Sequence, residues 1–175
     1  MFGSYPVHKT AAELAKLREW AHEIASEAPA PRPNESPHLI MSQRPIRVLD
    51  RFEFNRIALR PEHLKKIEHV VTHVIASWRR GGPVRSIRIV GHTDSTGQPT
   101  YNARLGQRRA LVVRNRLRSR LEQSWPRITR GIRFALESRG ATQPVADNRT
   151  KAGRAQNRRV EVFLTVEKTA PPARS

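Results

Sequence analysis

Residues 87–97 read IRIVGHTDSTG. The apolar run Ile87-Arg88-Ile89-Val90 passes directly into a histidine, a threonine and an aspartate, and Gly97 closes the stretch. β-Branched residues in a short run predict a strand. The polar cluster then stands at the end of that strand, between two glycines that let the backbone turn closely. Such a cluster suits a metal site, a catalytic site, a ligand grip or a plain turn, and its surroundings have to decide among them.

Upstream, Arg60-Pro61-Glu62 opens a helix, because proline is favoured at the first helical position. Leu64, Ile67, Val70, Val71, Val74, Ile75 and Trp78 make its broad apolar face, and Gly81-Gly82 ends it. Before it, Val48 to Phe54 reads as a strand with Phe52 and Phe54 two residues apart. Val84 to Val90 is the second strand. Downstream, a long helix spans about Tyr101 to Ser124, with Leu105, Val112, Val113, Leu117 and Leu121 inward and Pro126 as its stop. Gly106 lies inside it and is expected to weaken it by roughly 1 kcal/mol relative to alanine. Ile132, Phe134 and Leu136 alternate as a third strand. A loop rich in Gly, Pro and Asn runs from Gly140 to Gln156, and Val160, Val162, Leu164 and Val166 alternate as the last strand. Strands joined by helices imply right-handed crossovers. The expected fold is an α/β two-layer sandwich, a mixed sheet with helices packed on one face.

This domain is expected over residues 46–167. Residues 1–28 hold an amphipathic helix over 10–28, with Thr10 and Glu13 spaced as a capping box. Leu14, Leu17, Ala21, Ile24 and Ala28 form its stripe. It either packs on its own domain or docks on a protein partner. Five prolines between Pro29 and Pro45 mark residues 29–45 as an extended linker, and 168–175 read as a frayed tail. The start, MFGSYPVHKTAAEL, has no apolar h-region of a secretory signal, and no apolar run approaches the roughly 18 residues of a membrane span.

The 175 residues include 33 Lys and Arg against 15 Asp and Glu, a formal net charge of +18. Such a surplus implies anionic surroundings: nucleic acid, anionic lipid or an anionic wall polymer. There is no cysteine, which excludes disulfides and thiolate metal sites. His69 and His73 have a zinc-compatible spacing, but no third ligand is apparent and the H-E-x-x-H pattern is absent. No G-x-S-x-G elbow, Walker loop or dinucleotide fingerprint occurs, so no cofactor is expected. Arg104, Arg108, Arg114, Arg116, Arg118 and Arg120 could contact phosphates, but aromatic residues for base stacking are scarce beside them. Specific nucleic-acid binding is therefore the weaker reading of the charge.

Gly91-His92-Thr93-Asp94, Gly97, Tyr101-Asn102, Leu105, Arg109-Ala110 and Val113 resemble the signature of the OmpA C-terminal-like peptidoglycan-binding family. The stretch from Pro144 to Val162, PVADNRTKAGRAQNRRVEV, resembles its second motif. Arg51 to Asn55 and Pro61-Glu62 match as well, so the resemblance covers about residues 48–166. It implies a non-enzymatic module that holds the diaminopimelate of the peptidoglycan stem peptide non-covalently, in the periplasm or cell envelope. Carried over by position, Asp94 would meet the ligand ammonium and Arg109 its carboxylate. Asn55, Thr93 and Asn102 would line the same pocket. Asn148, Thr150, Arg154 and Arg158 would shape its wall and fasten the last strand. Gly106 and Gln107 depart from the family, which often has Ser before its Arg-Ala pair.

The residue chemistry agrees with that grip. A zwitterionic amino-acid end needs an anion and a cationic fork a few ångströms apart, and arginine pairs with a carboxylate through two parallel N–H···O bonds. Arg109 lies beside Leu105 and Val113 on the helical projection, so its stem can face inward. The bland alternative is an Asp94–Arg109 ion pair that only fastens helix to loop. His92 reads as orienting the turn. An adaptor that keeps the fold without binding the wall is the remaining alternative.

Overall fold

A computed structural model of the chain describes residues 38–168. The amphipathic segment 10–28, the first part of the proline-spaced segment and the tail from 169 onward lie outside the described residues. Five strands and four helices follow one another: β1 (His38–Met41), β2 (Arg47–Leu49), α1 (Pro61–Arg79), β3 (Val84–His92), α2 (Pro99–Ser124), α3 (Pro126–Arg130), β4 (Arg133–Gly140), α4 (Lys151–Asn157) and β5 (Val160–Lys168). The sheet is mixed, in the order β1-β5-β3-β4. β3 and β4 are parallel, with Ile87 opposite Phe134 and Ile89 opposite Leu136. β5 runs antiparallel to β3 on one side. On its other side it pairs first with β2 and then with β1.

Alternation explains the layers. Val160, Val162 and Leu164 of β5 and Ile87 and Ile89 of β3 are buried. Against them lie Ile67, Val70 and Val74 of α1 and Val113, Leu117 and Leu121 of α2. Full burial of each such side chain stabilises by about 1.5–3 kcal/mol relative to exposure. α1 ends where Gly81 takes φ +72, a conformation that costs an L side chain energy.

Three expectations need correction. The strand expected over Val48–Phe54 is only the short β2. Beyond it, Arg51 adopts φ 60 and Asn55 φ 55, and the Arg51 and Phe52 amides donate to the carbonyls of Ala155 and Arg158 instead of extending a ladder. Phe52 is consequently buried while Phe54 is 61% exposed; on a strand, two residues apart, they would share a face. Residues 38–41, inside the segment read as linker, form the edge strand β1. The loop expected over 140–156 contains α4, and Pro126 both stops α2 and opens α3 from its first helical position.

Gly106 has a reason that helix propensity does not reveal. A Cβ on Gly106 would lie 2.3 Å from Ser138 Oγ and 2.9 Å from the Gly91 carbonyl oxygen. A Cβ on Gly91 would lie 1.9 Å from the Gly106 carbonyl oxygen. The two glycines let α2 pack backbone against backbone on β3, just below the strand end that carries Thr93 and Asp94.

Candidate functional site

Beyond β3 the chain leaves the sheet in a tied loop. The Thr93 amide donates to the Gly140 carbonyl at 2.9 Å, and the Thr96 amide donates to Asp94 Oδ1 at 3.1 Å, a turn of the kind aspartate favours. Asn102, one turn into α2, donates its amide to the Thr96 carbonyl at 3.1 Å. Thr93, Asp94 and Asn102 are each 3% exposed. The loop is thus held from both ends, with the aspartate carboxylate at its centre.

Arg109 is fully buried on α2. Its Nε donates to the Arg56 carbonyl at 3.0 Å, Nη1 to the His92 carbonyl at 3.1 Å and Nη2 to the Glu53 carbonyl at 3.0 Å. These bonds use three of the five guanidinium N–H groups and leave one on each Nη. The Phe52 ring lies 5.4 Å from the guanidinium carbon. Burial, and the charge of Arg158, pull the Arg109 pKa down to about 10, so it remains a cation at neutral pH.

Arg158 completes the site. Its Nη1 donates to Asp94 Oδ2 at 2.7 Å and its Nε to the Phe52 carbonyl at 2.6 Å. The ion pair of Asp94 is therefore with Arg158, not with Arg109. Together Asn55, Thr93, Asp94, Asn102, Arg109 and Arg158 line one cavity of about 110 Å³, with Phe54, Tyr101 and Leu105 also on its walls. The Tyr101 hydroxyl donates to Asn55 Oδ1. Thr93 Oγ1 is buried with no hydrogen-bond partner in the structure.

The cavity thus gathers all five expected ligand contacts, and of the four supporting residues it takes only Arg158. Asn148, Thr150 and Arg154 build the loop behind it. Asn148 Oδ1 accepts from the Ser95 amide at 3.2 Å, which ties the two motif loops together. Thr150 caps α4 by accepting from the Gly153 amide, and Arg154 Nη1 donates to the carbonyls of Asn148 and Arg149.

Two contributors were not assigned from sequence. Asn157 is fully buried and clamps residues 145–146 through three backbone hydrogen bonds. His63 is fully buried on α1. Its Nε2 donates to the Asp50 carbonyl at 2.6 Å and its Nδ1 accepts from the Arg60 amide at 3.2 Å. Its ring stacks on Phe52 at 4.4 Å, so it seats the ring beneath Arg109. Only its i, i+4 spacing to Ile67 on the apolar face of α1 could have flagged it.

His92 turns away from the cavity: its side chain is 1% exposed and its Nε2 lies 3.4 Å from the Glu161 carboxylate. His69 and His73 are exposed, and among the described residues no group of three or more His, Cys, Asp or Glu could hold a metal ion. No described helix is long and apolar enough to cross a membrane.

The cavity sits inside a recognisable frame. The family model of the OmpA family matches residues 51–158. The chain belongs to the OmpA family. It is 32% identical over 138 residues to outer membrane protein A of Bordetella avium, covering 77% of this chain and 63% of that protein. To outer membrane porin F of Pseudomonas fluorescens it is 34% identical over 120 residues, 67% of this chain and 32% of that one. The chain therefore spans less than two thirds of these OmpA-family relatives. Among solved structures, the peptidoglycan-associated lipoprotein from Burkholderia pseudomallei aligns with a TM-score of 0.54 and 28% identity, over 67% of this chain and 89% of that one. The cell wall anchor of the T6SS from Pseudomonas aeruginosa shares the OmpA-family fold at a TM-score of 0.50 and 23% identity, over 84% of this chain and 94% of that one.

Proposed function

We propose that this OmpA-family domain holds the free amino-acid end of diaminopimelate in the peptidoglycan stem peptide, without covalent chemistry, and so fixes a protein or assembly to the cell wall. One observation carries the reading. A carboxylate, Asp94, and an immobilised guanidinium, Arg109, share a small buried cavity without forming an ion pair with each other.

A zwitterion fits that arrangement. Its carboxylate would accept from the two N–H groups that Arg109 has not given to carbonyls, in the bidentate geometry arginine favours. Its ammonium would donate to Asp94, which keeps acceptor capacity beyond its bonds from Arg158 and Thr96. The orphaned Thr93 hydroxyl would find a partner in the ligand, which removes a buried unsatisfied group. Because three carbonyls hold Arg109 in place, little side-chain entropy is lost when the ligand arrives. The net charge of +18 would add long-range attraction to an anionic envelope polymer. The named relative, a peptidoglycan-associated lipoprotein, supports the coarser part of the reading, an envelope location and attachment to the wall. The role proposed is binding, not catalysis.

The test is co-sedimentation with purified sacculi. Wild type is expected to sediment with diaminopimelate-type sacculi and not with lysine-type sacculi, whose side chain lacks the second carboxylate. Asp94→Asn and Arg109→Lys are expected to lose that binding at moderate salt. If both variants sediment as wild type does, the grip is wrong and charge alone explains attachment.

A further inference from the structure

The cavity of about 110 Å³ has room for one amino-acid end, so the rest of a stem peptide must lie outside it. On the other side of the N-terminal end of α2 is an open depression of about 450 Å³, which shares Gly97 and Asn102 with the cavity. It continues into a groove of about 620 Å³ between α2 and β4, with Ala103, Ser138 and Arg139 common to both. The three spaces are neighbours near the N-terminal end of α2, each sharing wall residues with the next. Gly97 lines both the cavity and the depression, and a Cβ there would meet nothing within 4 Å.

The lining of this trough suits a carboxylate-bearing peptide. Arg104 is exposed and enters none of the ion pairs found among the described residues. Arg139 is paired with Glu137 at 3.0 Å, but it is about half exposed and such pairs are weak. Glu137 also faces Arg88 at 3.6 Å, so its charge is shared and the groove keeps a cationic surplus. β4 ends the sheet order, and no described strand pairs with its outer edge, which leaves backbone groups for an extended chain. Ser138 and Gln107 add neutral hydrogen-bonding groups.

We infer that the trough between α2 and β4 binds the carboxylate-bearing remainder of the stem peptide whose diamino acid occupies the cavity, with Arg104 and Arg139 as its cationic contacts. This rests on the wall-binding reading above.

Calorimetric titration of the full chain separates the two ideas. Wild type is expected to bind a soluble diaminopimelate muropeptide about fivefold more tightly than free diaminopimelate, as two exposed ion pairs would give. The advantage shrinks as salt rises. The double variant Arg104→Gln/Arg139→Gln is expected to keep its affinity for free diaminopimelate and lose the advantage. Amidating the muropeptide carboxylates outside the diamino acid should have the same effect on wild type. If the double variant keeps the advantage, or wild type shows none, the trough is not a peptide site although the cavity reading stands. If wild type fails to bind free diaminopimelate at all, the cavity reading falls and the trough proposal with it.

Discussion

Asp94 and Arg158 form a 2.7 Å ion pair within the cavity wall, while Arg109 is spoken for by three backbone carbonyls. The two arginines therefore have different duties. Arg158→Gln strips a mostly buried carboxylate of its cation and is expected to cost about 2–3 kcal/mol in thermal or denaturant unfolding. Asp94→Asn keeps one acceptor oxygen, which can serve Arg158 or the Thr96 amide but not both. It is expected to cost about 1 kcal/mol while removing the attraction for a ligand ammonium. A larger stability loss in Asp94→Asn than in Arg158→Gln would contradict this division.

Arg109→Ala would leave three carbonyls unsatisfied around a void, and an expected loss of about 3 kcal/mol or more would obscure any binding result. Arg109→Lys keeps the charge but cannot serve three diverging carbonyls and a ligand carboxylate with three N–H groups. It is expected to remain folded by circular dichroism and to bind diaminopimelate about tenfold or more weakly by calorimetry.

The contact of Gly91 with Gly106 makes an unusual demand on substitution. Gly106→Ala would ordinarily stabilise a helix by about 1 kcal/mol, but its Cβ meets Ser138 Oγ and the Gly91 carbonyl. Destabilisation is expected instead, with partial recovery in Gly106→Ala/Ser138→Ala, since the hydroxyl can be deleted and the carbonyl cannot. Gly91→Ala, aimed at backbone alone, is expected to cost about 3 kcal/mol or more. Urea midpoints of wild type, Gly106→Ala, Ser138→Ala and the double variant measure the coupling.

These contacts mark the limit of what a single sequence discloses. The β3–α2 junction was legible because a β-branched run, a polar turn and a 3.6-residue pattern succeed one another. The residue types at 94 and 109 alone left a plain ion pair open, and only the family resemblance assigned them to a zwitterion grip. Phe52 and Phe54 misled because their spacing mimics a strand, whereas the bonds that bend the chain there come from Ala155 and Arg158, about a hundred residues away. α4 stayed hidden because only Gly153 and Asn157 are buried in it, too few for a periodic signal. The partnership of Arg158 with Asp94 is set by how β5 meets β3, which no local pattern encodes.

His63 gives the fold a response to mild acid. Burial lowers its pKa below the ordinary 6.5, and its two ring nitrogens are committed to Asp50 and Arg60 as the neutral form. A folded-state pKa below the unfolded value means that the unfolded chain binds the proton first. The stability contributed is therefore fully present above pH 6.5 and is lost as pH falls through the depressed folded pKa. Chemical denaturation at stepped pH is expected to show this decline, and His63→Gln to flatten it. An equal decline in His63→Gln would assign it elsewhere.

A second acid limb belongs to Glu161 on β5. The His92 imidazole 3.4 Å away, together with the Arg159 guanidinium at 2.8 Å, holds its carboxyl down to about 2 from an ordinary 4.5. The folded pKa again lies below the unfolded one, so the contribution is complete above pH 4.5 and is lost as pH falls through about 2. Glu161→Gln is expected to lower stability at neutral pH by about 2 kcal/mol and to remove this lower limb while leaving the His63 limb intact. His92→Gln should move the Glu161 carboxyl back toward 4.5 in an NMR titration, because Arg159 alone would then hold it. If the Glu161 carboxyl titrates unchanged in His92→Gln, Arg159 is the sufficient partner and His92 serves β3 only through its backbone, whose carbonyl receives Arg109.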